Sequence, residues 1–164
     1  MVWLLVIPWL AICAWHDLRT RTVPALLTIP PLVAAIGWEI YAGNWPLALL
    51  AISLFVLDDL PWRWRGFLSG VQGLLLFAAW NSSGWTAVLL GLILIVIWVL
   101  WKFGAIGGAD AQVLMSLALF FGWPILVPVA LATGLQALIQ YWRGQNTIPA
   151  MLGILAGVSV HTLK

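Results

Sequence analysis

The chain has 164 residues, of which 64% are hydrophobic and only 7% charged, and its mean hydropathy is +1.08. Soluble domains carry about 25% charged residues, so this composition excludes an ordinary soluble domain and predicts a surface that faces lipid. The net charge of +2 gives no ground for a nucleic-acid partner; the basic residues matter through where they fall.

The first apolar stretch, 2–15, lacks the basic residues that open a secretory signal and is expected to be a retained first span. Polar or Pro/Gly clusters then punctuate the chain: HDLRTRTVP, AGNWP, DDLPWRWRG, NSSGW, KFGAIGGAD, GWP and WRGQNTIP. They separate eight apolar segments, 2–15, 24–41, 46–57, 66–80, 85–101, 111–122, 124–141 and 148–161. A full span takes about 20 apolar residues, fewer where ends snorkel or the bilayer thins. Several segments are short, and Pro124 is compatible with a kink inside one longer helix. The expected fold is therefore all-α, a polytopic transmembrane bundle of six to eight spans forming one integral-membrane domain, 1–164.

Charge favours eight. With the amino terminus outside and eight alternating spans, Arg19, Arg21, Arg63, Arg65, Lys102 and Arg143 all fall inside, as the positive-inside rule requires. The same topology puts Asp17, Asp58, Asp59 and Asp110 on the cytoplasmic face and Glu39 near the outer one. The thirteen tryptophans are expected mostly at span ends. Gln72, Gln136 and Gln140 are expected to hydrogen-bond between helices. Cys13 is the only cysteine, which excludes an intrachain disulfide and a cysteine-based zinc site. His16 and His161 fall on opposite faces, so no metal site is expected, and nothing calls for a cofactor.

Two acids stand apart. Asp110 lies in KFGAIGGAD, between two apolar runs, and Asp17 in WHDLRTRTVP. Each has an ordinary structural reading: Asp110 as an N-cap, Asp17 as the i,i+4 partner of Arg21. Both, however, close or open spans at the same face, and we expect them to meet. Two adjacent carboxylates do not both ionise easily, which leaves a protonated acid beside a carboxylate base. Such a pair activates water against a peptide carbonyl while protonating its oxygen. Gly107 and Gly108 are expected to let substrate or backbone approach Asp110 closely. Asp58 and Asp59 are weaker candidates for attracting a basic substrate segment, since DDLPWRWR reads first as a solvated loop.

GGAD at 107–110, followed by AQVL, resembles the GxGD motif of membrane aspartic proteases. HDLRTRTVPALLTIP resembles the first-aspartate segment of type IV prepilin peptidases and archaeal preflagellin peptidases, and TIPAMLGILAG at 147–157 is similar to their final segment. The three stretches occur in the family's order and span most of the chain. Ala109, Ala25 and Gln112 stand where the family usually has Gly, Asn and Lys, and its cysteine-rich cytoplasmic domain has no counterpart in this chain. The resemblance implies a small, peptidase-only enzyme of the plasma membrane. It would cut the short basic leader from a prepilin- or archaellin-like precursor at the cytoplasmic face, with Asp17 and Asp110 catalytic. Two other readings stand beside it: a small transporter or proton relay, because intramembrane carboxylates also mark ion paths, and an inactive membrane assembly subunit.

Overall fold

The computed structural model describes residues 3–59, 61–142 and 150–162. Among them are eight α-helices: α1 (Trp3–Thr20), α2 (Ala25–Tyr41), α3 (Trp45–Asp59), α4 (Trp62–Ser83), α5 (Trp85–Lys102), α6 (Gly108–Phe121), α7 (Leu126–Trp142) and α8 (Ala150–Thr162). The fold is all-helical, with no strand among the described residues. Each helix overlaps most of one of the eight apolar segments. α1 and α4 run past theirs into polar residues, because Arg, Asp and Trp do not by themselves break a helix.

The breaks have local causes. α1 stops at Arg21, which takes a left-handed φ of 58° while its N–H bonds Asp17 O at 2.9 Å. Pro24 then opens α2. Gly122, at φ 76°, ends α6, and Trp123–Ile125 form a single 3-10 turn before α7. The Pro124 region is thus a true break, and glycine supplies the backbone conformation it needs.

α6 is the central element. On one side its Ala111, Met115, Ala118 and Leu119 join a core with Leu32 and Ala35 of α2, Leu47 and Leu54 of α3, and Leu94 and Ile97 of α5. On the other side Val113 and Leu117 join a second core with Leu10 of α1, Val129 of α7, and Met151, Ile154 and Val158 of α8. Burying large aliphatic side chains contributes roughly 1.5–3 kcal/mol each, and α6 collects that gain on both faces.

α8 wedges against α7 and α1. Gly153 and Gly157, four residues apart on one face, allow the approach. A Cβ at Gly157 would stand 2.4 Å from Val129 Cα, and one at Gly153 would stand 2.6 Å from Thr133 Cγ2. Polar ties cross the bundle as well. Trp9 Nε1–H donates to Leu27 O at 2.7 Å, Thr28 Oγ1–H donates to Gln112 Oε1, and Gln72 Nε2–H donates to Ser53 Oγ at 3.3 Å.

The outer surface is apolar. Along α7, Val127, Leu131, Leu135, Leu138 and Trp142 form an exposed stripe, and Leu26, Ile29, Val33 and Ile40 do the same on α2. Among the described residues one helix, α5, is long and apolar enough to cross a membrane by length and composition. Five further apolar helices are shorter.

Candidate active site

Three helix ends converge at one end of the bundle: the end of α1 and the starts of α6 and α8. Asp17 sits in the last turn but one of α1. Its Oδ2 accepts the Met151 N–H of α8 at 3.3 Å. The first N–H groups of a helix have no partner within it and carry the positive end of its dipole. Asp17 therefore offers its charge where α8 can hold it. Ala150, the residue before Met151, lines the same cavity as Asp110.

Asp110 is the third residue of α6, ahead of the apolar run 111–122. The cap is Gly107, so the N-cap reading of Asp110 shifts by a turn. The Asp110 carboxylate reaches back to the Gly107 backbone N–H, as an acid at the third helical position does in a capping box. Burial, then the nearby Asp17 charge, push its carboxyl up from 3.8 to about 6, against the lowering effect of the Gly107 hydrogen bond. Asp17 and Asp110, far apart in the chain, are thus close enough for one charge to act on the other.

The glycines divide their roles. A Cβ at Gly107 would lie 3.0 Å from Asp110 Oδ2, so the absent side chain leaves room for the carboxylate itself. A Cβ at Gly108 would lie 3.1 Å from Trp101 Nε1, so its space is taken by an indole and not by an approach path to Asp110. Trp101 also packs against Phe55, with ring centroids 6.1 Å apart, and lies under Lys102 Nζ at 4.5 Å, a cation–π geometry. Asp58 and Asp59 end α3; their side chains, like those of Arg63 and Gln140 and all of residues 143–149, lie outside the described residues.

Asp110 forms part of the wall of a cavity of about 250 Å³ between α5, α6, α7 and α8, lined otherwise by apolar residues and Thr133. Among the described residues it is the only charged one of that wall. No group of three or more His, Cys, Asp or Glu side chains that could hold a metal occurs among the described residues. Comparison with protein-family models, curated proteins and solved structures finds no match for the chain. Function is accordingly read from the site's own chemistry.

Sequence reasoning did not find the Met151 N–H, the Trp101 indole against Gly108, or the Thr28–Gln112 bond. The first had a signal: a helix opening right after Pro149 leaves N–H groups in need of an acceptor.

Proposed function

We propose that this protein is a membrane-embedded aspartic endopeptidase of the kind its sequence resembles, removing the basic leader of a prepilin- or archaellin-like precursor. The observation that carries the reading is that the Asp17 charge acts on the Asp110 carboxyl, with Asp17 held by the start of α8 and Ala150 of the same helix start lining the Asp110 cavity. Eight alternating spans, with both acids at the cytoplasmic edge, complete the proposal. The apolar stripes on the outer faces of α2 and α7 support it, since helices apolar on all sides suit a lipid surround.

The roles follow from the surroundings. Asp17, its charge held by the start of α8, acts as the base and takes a proton from water. Asp110, the acid of the pair, gives its proton to the scissile carbonyl oxygen. Water oxygen bonds to the carbonyl carbon and a tetrahedral diol forms. Its collapse breaks the C–N bond as the proton now on Asp17 passes to the leaving amine, and the proton lent by Asp110 returns to it. Water is consumed, and both carboxyl groups end as they began. The apolar cavity beside Asp110 keeps bulk water from the acid and strengthens the charge interactions within.

Asp17→Asn and Asp110→Asn test this. Asn is close to isosteric with Asp and caps helices about as well, so both variants should accumulate in membranes. Each should abolish processing of a co-expressed precursor. Undiminished cleavage by either variant would remove that residue from the mechanism. Loss of ion flux in proteoliposomes, with no cleavage by the wild type, would favour the transport reading instead.

A further inference from the structure

The far end of the bundle holds a second polar cluster that the proposed peptidase does not use. Glu39 lies in the last turn of α2, some 16 Å along that helix from Thr28 at about 1.5 Å per residue. The sequence suggested an outer-interface carboxylate, but Glu39 is only 5% exposed. Asn44, just beyond the helix, donates its side-chain N–H to one carboxylate oxygen. The other, Oε2, is buried and has no hydrogen-bond partner. Glu39 lines an open cavity of about 370 Å³ bordered by the ends of α2, α4 and α6 and the starts of α3 and α5.

The polar groups of this cavity have one character. Ser83 Oγ–H is committed to Asn44 Oδ1, and Thr86 Oγ1–H donates to Ser83 O at 3.4 Å. Asn44 gives its N–H to Glu39. The hydroxyl oxygens of Ser83 and Thr86 keep acceptor capacity beside the Glu39 carboxylate. The terminal Glu torsion is broad, so a small turn exchanges the two carboxylate oxygens. No described lining residue is basic, and Trp38 and Trp123 are among the lining residues. An anion would be repelled by the Glu39 carboxylate, with no basic side chain among the described lining residues to offset it. A hard metal ion wants six or more oxygens and gains nothing from indoles. A primary ammonium has three N–H donors for three acceptors and is attracted by aromatic faces. It also compensates the charge of a carboxylate withdrawn from water.

We propose that the Glu39 cavity binds a primary ammonium group, and that its source is the ethanolamine headgroup of a membrane lipid. Trp45, Trp80 and Trp85 stand exposed at the same helix ends, the ring of indoles expected where a bundle meets lipid headgroups. The site is about a bilayer leaflet away from Asp110 and is independent of the peptidase reading.

The test uses full-length protein, stripped of lipid in detergent and titrated with short-chain phosphatidylethanolamine, phosphatidylcholine or phosphatidylglycerol, or with free ethanolamine. Thermal midpoint and lipid retained in native mass spectrometry are read together. Phosphatidylethanolamine should raise the midpoint and be retained, the other two lipids should not, and Glu39→Gln should weaken the effect about tenfold or more. An equal response to phosphatidylcholine would overturn the three-donor argument. An equal response to free ethanolamine would reassign the source to a soluble amine. No response to any amine would overturn the site. Should Glu39→Gln fail to fold, the wild-type series decides alone.

Discussion

Gly157→Ala probes the packing that holds the candidate site together. The new Cβ would sit 2.4 Å from Val129 Cα, 2.6 Å from Val129 N and 2.7 Å from Pro128 O. All three are backbone atoms, so no side chain can swing aside. Restoring an ordinary contact of 3.4 Å requires α7 and α8 to part by 3.4 − 2.4 = 1.0 Å. Overpacking of a tight core costs about 1–3 kcal/mol, and a clash between two main chains belongs at the upper end. Against this, replacing a helical Gly by Ala returns about 0.5–1 kcal/mol of backbone entropy, leaving a net loss of about 2 kcal/mol. Gly37→Ala is the control: nothing lies within 4 Å of its Cβ, so only the gain applies. Unfolding of the purified variants, followed by circular dichroism, should rank Gly37→Ala above wild type and Gly157→Ala below it. The displacement has a second consequence, since α8 carries the Met151 N–H that holds Asp17. A shift near 1 Å can cost about a hundredfold in rate, so cleavage should fall further than stability alone explains. A Gly157→Ala protein as stable as Gly37→Ala would refute the close packing of α7 on α8.

Asp110 makes stability depend on pH. Its folded carboxyl titrates near 6 and its unfolded one near 3.8, so the folded state holds the proton more tightly and its contribution, full below about pH 4, is lost as pH rises through about 6. Asp110→Asn should flatten that slope in a pH series of thermal midpoints, and wild-type cleavage should decline across the same upper limb. Gly107→Ala fits the backbone at φ −68° but pushes on Asp110 Oδ2 from 3.0 Å; abundance should hold while cleavage drops roughly tenfold, measured on a co-expressed precursor. Thr28→Val removes the donor that Gln112 Oε1 accepts at a buried position. It should cost about 1–3 kcal/mol, and a double-mutant cycle with Gln112→Leu should recover part of it.

Much of the fold was legible because it is punctuated by apolar length and by Pro and Gly. Those signals act locally, so eight segments read from the chain reappear as eight helices. The convergence of Asp17 and Asp110 was also accessible, for a topological reason: in an alternating bundle the end of the first helix and the starts of the sixth and eighth face the same way. What the sequence could not display was depth. Glu39 reads as a surface acid by its position near a loop, yet Asn44 and the ends of four other helices enclose it, and burial of that kind is a property of the assembled bundle. Gly108 reads as an access glycine until Trp101 is seen to fill its place. In both cases a residue's neighbours along the chain are uninformative, and its neighbours across the bundle decide its chemistry. The acids illustrate the same division. An acid beside glycines is a commonplace helix start, and Asp110 performs that service through Gly107. What sets it apart is the charge of Asp17 at its side and an apolar cavity at its back. α1 supplies the charge, and α5, α7 and α8 close the cavity on α6. α8 serves both, through Ala150 and Ile154 at the cavity and the Met151 N–H at Asp17, so perturbing α8 should register at an aspartate on α1.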